Sequence, residues 1–257
     1  MPEISDFIQK YQKEHQLNVV TFCGGEVFTL KYFPHLVNKL VHNGIFIQVI
    51  TNGTIDRLKE FTSPNNVNLI VSIDGLRAYH DANRGVGNFN KSVNFLKKAH
   101  RLSFHTEIFS IVTRENFWYI DEFEEKLNQE LGFKPRITYH PRKPPSYLLH
   151  HPVSNIFGRA KNFNFLTDEQ MVKIMKEKNT FPPKNLGCYQ IALASDRKVY
   201  GCCEGTIPLG KKSDKMSELF HNLEKRIILW EKTNRLTNCL GCSQPDFMCG
   251  IKQYLPV

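Results

Sequence analysis

The sequence predicts an α/β fold built on a parallel sheet. Short apolar runs alternate with amphipathic stretches over the first 140 residues, and this alternation is typical of βαβ units. The last predicted helix of this region has apolar residues at spacings of three and four, on one helical face: Phe117, Ile120, Phe123, Leu127 and Leu131. Right-handed crossovers favour an open sheet or a partial barrel, in which chemistry occurs at the carboxyl ends of the strands.

The sequence predicts helices and strands along most of the chain. A helix at 3–15 precedes strands at 18–22, 46–50, 67–73, 107–113 and 136–139, with helices near 32–43, 88–102 and 117–131. A proline-containing loop at 141–153, a helix at 167–178 capped by Thr167, a linker at 181–183, a hairpin at 188–203 with Asp196 and Arg197 at its turn, and a helix at 215–233 follow. We predict two domains, residues 1–180 and 181–257.

Composition narrows the possible partners and location. The 257 residues are 41% hydrophobic and 23% charged, as in globular proteins. The sequence contains no run of 18 apolar residues, so no membrane partner is expected. The first residues lack the order of a signal peptide, and we predict a cytoplasmic location. The net charge is +9, but no basic stripe with interleaved aromatics is present, which disfavours a nucleic-acid partner. The sequence does not predict an oligomeric state.

Three short motifs follow successive predicted strands. They are Cys23-Gly24-Gly25-Glu26, Ile50-Thr51-Asn52-Gly53-Thr54, and Val71-Ser72-Ile73-Asp74-Gly75 followed by His80-Asp81 and Arg84-Gly85. Each alone is weak, because Gly-Gly and Asn-Gly pairs are common in turns. Their order and spacing, each closing a predicted parallel strand, form a specific pattern.

Together these motifs resemble the core of a radical S-adenosylmethionine (radical SAM) domain, from its second to its fourth strand. Gly158-Arg159-Ala160 and the cysteine-rich tail resemble the subset of the family with a C-terminal SPASM/twitch-like iron–sulfur domain. The resemblance covers nearly the whole chain. It implies a partial (βα)6 barrel followed by a small cysteine-rich domain at 181–257.

The resemblance implies a binding site for S-adenosylmethionine. Glycine permits close approach of a ligand to the backbone, and Glu26 supplies negative charge for the ammonium group. In the family, a serine and an arginine hold the carboxylate; here they match Ser72 and Arg84, and arginine can bind a carboxylate bidentately. The implied cofactor-binding residues are Gly24, Gly25, Glu26, Asn52, Ser72, Asp74 and Arg84.

Alternative roles exist for several of these residues. Asn52 either lies near the adenosine or only makes a turn, and Ser72 and Asp74 could cap a turn while Arg84 is a surface residue. We expect Cys23 to be a buried thiol at the end of a strand and not a ligand.

The family's Cys-x3-Cys-x2-Cys motif is absent. In the family it binds the [4Fe–4S] cluster that delivers an electron to S-adenosylmethionine. Here Cys23 is the only cysteine in the first 187 residues, and a helix precedes what resembles the second strand. The sequence is therefore expected to be either a fragment of an active enzyme or a degenerate protein that lost the redox centre. No catalytic residue is predicted.

Six cysteines cluster between residues 188 and 249. A Cys-x2-Cys pair is typical of zinc and of iron–sulfur sites. The resemblance implies one auxiliary [4Fe–4S] cluster bound by Cys188, Cys202, Cys239 and Cys242. Cys203 or Cys249 could replace one of these ligands, and the alternatives are a zinc ribbon or free thiols. Where the family has a glycine at the hairpin turn, this chain has Arg197.

Two functions compete at this point. The resemblance implies an oxidoreductase of the kind that modifies a peptide or a small molecule, truncated or inactive here because the cysteine triad is absent, with S-adenosylmethionine binding weak or lost. The alternative is a non-catalytic binding protein with a zinc or iron–sulfur knob.

Overall fold

In the computed structural model, five strands form one sheet whose spatial order follows the chain order. The structure describes residues 2–15, 17–141, 164, 166–178, 191–201 and 208–232. The strands of this sheet are β1 (Val19–Phe22), β2 (Phe46–Thr51), β3 (Val67–Ser72), β4 (His105–Val112) and β5 (Arg136–Pro141). β1 to β4 pair in parallel, each strand with the next. The predicted strands are confirmed, with small differences at their ends.

Helices lie in three of the four connections between these strands, whereas β2 and β3 are joined by a segment with the 3-10 turns Leu58–Glu60 and Pro64–Asn66. The helices are α2 (Phe33–His42), α3 (Arg77–Arg84), α4 (Asn88–Arg101) and α5 (Ile120–Leu131). The predictions of α2, α4 and α5 are confirmed, although α5 starts later than expected because Phe117–Tyr119 form a 3-10 turn. The sequence patterns did not predict α3. His80 is its only buried residue, so no apolar periodicity marks this helix.

The core of this part of the chain lies between the sheet and its helices. Central strand residues Ile47, Val49, Leu69, Val71 and Ile108 are fully buried. The predicted apolar face of α5 contributes four more buried side chains, those of Ile120, Phe123, Leu127 and Leu131. This burial fixes which ends of the strands lie side by side, and therefore positions the loops that follow them.

The chain divides into two compact units, residues 16–140 and residues 1–15 with 141–257. The second unit contains α1 (Pro2–Glu14), α6 (Asp168–Glu177), α7 (Met216–Lys232) and a three-stranded sheet of β6 (Ala192–Leu193), β7 (Lys198–Tyr200) and β8 (Gly210–Lys211). The domain division at residue 180 stays a prediction.

The N-terminal helix packs with elements from the other end of the chain. Phe7 of α1 shares one buried cluster with Val199, Leu209, Met216, Leu219 and Leu223. At the surface, Glu3 pairs with Arg197 at 3.2 Å and with Lys212 at 3.4 Å. The predicted helix at 3–15 is therefore confirmed, and α1 is part of the core of the second unit.

Local signals in the second unit are also confirmed. Thr167 caps α6 in a reciprocal capping box with Gln170. β6 and β7 pair antiparallel as a hairpin, and Arg197 at its turn has a φ of 65°. That left-handed conformation explains why glycine suits this position. The linker at 181–183, Gly158-Arg159-Ala160 and the six C-terminal cysteines lie outside the described residues.

Candidate functional site

The three sequence motifs meet at the carboxyl edge of the parallel sheet. Register places Phe22 beside Val49, Thr51 beside Val71, and Ser72 beside Phe109. Because neighbouring parallel strands end on the same side, the loops after β1, β2 and β3 are adjacent. The edge predicted to carry the chemistry therefore does carry the motif residues.

The loop after β1 is open on its glycine side. Gly24 has a φ of 132°, and a Cβ atom added at Gly24 or Gly25 would meet no atom within 4 Å. A ligand could therefore approach this backbone closely. Cys23 is exposed, so the prediction of a buried thiol is wrong. The cause is the position of β1 at one end of the described sheet, where Val19 is also exposed.

Glu26 joins the loop after β1 to the end of β2. Its carboxylate accepts hydrogen bonds from Thr51 Oγ1 at 2.8 Å, from the Asn52 amide at 2.8 Å and from the Phe28 amide at 3.1 Å. Charge-assisted bonds of this kind are stronger than neutral ones. Glu26 therefore fixes two of the three motif loops against each other, a role that the sequence did not predict.

Asn52 forms the turn that follows β2. Its Oδ1 accepts hydrogen bonds from the Thr54 amide at 2.8 Å and from Thr54 Oγ1 at 2.7 Å. The next residue, Gly53, has a φ of 69°, and an added Cβ would lie 3.1 Å from Val71 Cγ1. Of the two predicted roles for Asn52, these contacts support the turn.

Asp74 and Arg84 form a bidentate ion pair after β3. Arg84 Nε lies 2.5 Å from Asp74 Oδ2, and Arg84 Nη2 lies 2.9 Å from Asp74 Oδ1. The Asp74 side chain is 7% exposed and that of Arg84 is 26% exposed. Ser72 is half-buried, two residues before Asp74. Asp74 is therefore more than a cap of the following turn, and Arg84 is not a free surface side chain.

Two further residues hold Asp74 and were not predicted as part of the site. The amide of Asp74 donates to Nδ1 of His80 at 3.3 Å. The side chain of Asn116 donates to the Asp74 carbonyl and, at 2.9 Å, to the Ile111 carbonyl. Asn116 Oδ1 accepts from the Thr113 amide at 2.7 Å. Asn116 had no sequence signal, because it follows β4 in a stretch without a motif.

Two neighbouring groups have shifted pKa values. Burial lowers the pKa of His80, which favours the neutral ring that accepts the Asp74 hydrogen bond. Hydrogen bonds from the Phe89 and Gly87 amides lower the pKa of Asp81. Those bonds place Asp81 at the N-terminus of α4, where a carboxylate is favourable. Asp81 therefore has a structural role next to the site.

A cavity of about 160 Å³ adjoins Asp74 and Asn116. Its walls also include the aromatic side chains of Tyr79, Tyr119 and Phe123. Tyr79 donates to or accepts from Thr113 Oγ1 at 2.8 Å. The cavity could take a small apolar group next to the polar cluster.

The described residues do not include the predicted metal ligands. Among the described residues, no group of three or more His, Cys, Asp or Glu side chains could hold a metal ion. The predicted ligands Cys188, Cys202, Cys239 and Cys242 lie outside this part of the chain. The auxiliary cluster stays a prediction.

The N-terminal part of the chain matches a family model. Residues 1–127, just under half of the 257-residue chain, match the radical SAM superfamily model. No curated protein matches the sequence.

Solved structures support the fold. Native anSMEcpe with bound AdoMet (S-adenosylmethionine) has a TM-score of 0.66 and 18% identity, covering 98% of this chain and 86% of that chain. The same protein with AdoMet and the Cp18Cys peptide has a TM-score of 0.63 and 18% identity, with the same coverage. Streptococcus suis SuiB bound to precursor peptide SuiA has a TM-score of 0.59 and 9% identity, covering 96% and 63%. At these identities the similarity shows the fold.

In the described part of the chain, no helix is long and apolar enough to cross a membrane. The cytoplasmic location stays a prediction.

Proposed function

We propose that the chain binds S-adenosylmethionine at the carboxyl edge of its parallel sheet, as a radical SAM protein. The observation that carries the proposal is Arg84, held at the carboxyl end of β3 by its bidentate ion pair with Asp74. S-adenosylmethionine has a carboxylate for this guanidinium and an ammonium group for which Glu26 provides negative charge. The open backbone at Gly24 and Gly25 has room for the ligand. The superfamily match supports the same ligand.

For the substrate we propose a peptide or a small molecule that undergoes oxidative modification. Structures of similar fold have been solved with the Cp18Cys peptide and with precursor peptide SuiA, which favours a peptide. In radical SAM enzymes, reductive cleavage of S-adenosylmethionine supplies a 5′-deoxyadenosyl radical. The part that this chain's residues would play is to bind and orient the cofactor at Arg84, Ser72 and Glu26.

The catalytic cluster does not fit the residues at hand. Cys23 is the only cysteine before residue 188, and it does not belong to a metal-binding group in the described residues. We therefore assign no electron-transfer step to this chain. Because the cluster normally anchors the amino acid end of the cofactor, binding by these residues alone should be weak, with a dissociation constant no tighter than about 1 mM.

For residues 181–257 we propose a SPASM/twitch-like domain with one auxiliary [4Fe–4S] cluster. Cys188, Cys202, Cys239 and Cys242 are its proposed ligands. The support is the Cys-x2-Cys spacing and the grouping of six cysteines at one end of the sequence. A zinc site is the competing proposal for the same side chains.

Titration with S-adenosylmethionine, by calorimetry or ligand-observed NMR, tests the proposed cofactor site. We expect weak, saturable binding that Arg84→Gln abolishes. Arg101→Gln is the matched control, because Arg101 is an exposed residue at the end of α4. No saturable binding by the wild type would refute the proposal.

A different result would favour the alternative function. Micromolar affinity that Arg84→Ala abolishes would mean that the pocket is complete without a cluster. The intact Glu26 and Asp74–Arg84 contacts are the observation that keeps this non-catalytic binding protein in consideration.

A further inference from the structure

The ion pair leaves half of the Arg84 guanidinium available. Asp74 contacts one edge of the group, through Nε and Nη2. A guanidinium has five N–H donors and can receive carboxylates on two different edges. Among the described residues, Nη1 of Arg84 has no hydrogen-bond partner, and the side chain is 26% exposed. The edge formed by Nη1 and Nη2 can therefore receive a second carboxylate.

Asp74 is held from several directions, and its carboxylate already accepts hydrogen bonds from protein donors. Its side chain is 7% exposed, and Oδ1 accepts a hydrogen bond from the Ile111 amide at 3.1 Å. Its backbone amide and carbonyl are bound by His80 and Asn116. The carboxylate is thus fixed to the ends of β3 and β4 before any ligand arrives.

We infer that Asp74 is a positioning residue: it holds Arg84 so that the free guanidinium edge binds the carboxylate of the ligand. This inference rests on the proposed function, because it takes an adenosyl amino acid as the ligand. It also changes the predicted role of Asp74, which was expected to bind the cofactor directly. An arginine that is already oriented loses less conformational freedom when it binds.

Asp74→Asn separates this role from simple electrostatics. The substitution keeps the size of the side chain but removes the charge and one of the two acceptors for Arg84. If Asp74 mainly repels the ligand carboxylate, its loss should tighten binding. If Asp74 orients Arg84, its loss should weaken binding. The two effects have opposite signs.

Two probes isolate the carboxylate. S-adenosylhomocysteine carries the amino acid group, whereas 5′-methylthioadenosine carries only the adenosyl thioether. We expect Asp74→Asn to weaken S-adenosylhomocysteine about tenfold, equivalent to about 1.4 kcal/mol, and to leave 5′-methylthioadenosine unchanged. Asp56→Asn, at an exposed pair with Lys98, is the matched control. Arg84→Lys keeps the charge without the planar fork and should give the same selective loss, which covers the case that Asp74→Asn does not fold.

Binding of the two probes to the wild type and to Asp74→Asn distinguishes the positioning role from the proposed function. Unchanged or tighter binding of S-adenosylhomocysteine to Asp74→Asn would overturn the positioning role while leaving the proposed function in place. Equal loss of both probes would mean that Asp74 only supports the fold, and would also overturn it. Failure of the wild type to bind either probe would overturn the proposed function, and the inference with it. In the ligand-free protein, the Nε–H NMR signal of Arg84 should be protected from exchange, and Asp74→Asn should remove that protection.

Discussion

Replacing the buried Asn116 with alanine should destabilise the carboxyl edge of the sheet. Asn116 is 6% exposed. Its side chain bonds the Asp74 carbonyl, the Ile111 carbonyl and the Thr113 amide. Alanine would leave these three main-chain groups without their partner. At about 1 kcal/mol for each bond, we expect a loss of about 3 kcal/mol in the free energy of unfolding.

Urea unfolding followed by circular dichroism measures this loss. For a protein of this size, about 3 kcal/mol corresponds to a fall of roughly 6–12 °C in the melting temperature. Asn94→Ala is the control, since Asn94 is exposed on α4 and should change stability by less than about 0.5 kcal/mol. If Asn116→Ala were as stable as Asn94→Ala, water would replace the side chain fully and the bonding argument would be wrong.

Four further predictions concern pH, the hairpin and the cofactors. Burial lowers the pKa of His80 from its ordinary 6.5. The contribution of His80 to stability is therefore present above about pH 6.5 and is lost as the pH falls towards the lowered value. The free energy of unfolding, measured between pH 5 and 8, should decrease towards low pH, and His80→Gln should reduce this decrease. Arg197→Gly should stabilise the hairpin by about 0.5–1 kcal/mol in urea unfolding, because glycine adopts the φ of 65° without strain. The exposed ion pair with Glu3, which the substitution removes, contributes little. A destabilised variant would contradict this prediction. Anaerobic reconstitution with iron and sulfide should yield one [4Fe–4S] cluster that Cys239→Ser removes and Cys23→Ser does not, whereas stoichiometric zinc without iron uptake would refute it. With dithionite as reductant the chain alone should form no 5′-deoxyadenosine above a no-protein control, and any excess would show that the cysteine triad is not needed.

The regular elements of the sheet could be predicted because burial leaves a periodic trace in the sequence. The apolar face of α5, from Ile120 to Leu131, is the same in pattern and in structure. Helix α3 leaves no such trace, since His80 is its only buried residue. Its contacts include one with a residue distant in sequence, the pair between Arg77 and Glu130.

The candidate site could be located from the sequence, but its internal contacts could not. Motif order placed Glu26, Asn52 and Asp74 at the ends of adjacent strands, because parallel strands end on the same side. The bond between Glu26 and the Asn52 amide spans 26 positions in sequence, and no local pattern encodes a partner at that separation. Asn116 was missed for the same reason.

The polar side chains at the carboxyl edge of the sheet differ in how much of their hydrogen-bonding capacity the protein uses. Glu26 accepts three hydrogen bonds from the protein. The buried carboxylate of Asp74 accepts hydrogen bonds from Arg84 and from the Ile111 amide. Both carboxylates accept hydrogen bonds from protein donors and thereby fix the positions of their neighbours. Arg84 is different, because one edge of its guanidinium is bound and the other is free among the described residues. The contacts at this edge are made by protein groups alone. We therefore expect the carboxylate-binding role proposed for Arg84 to be kept without the cysteine triad.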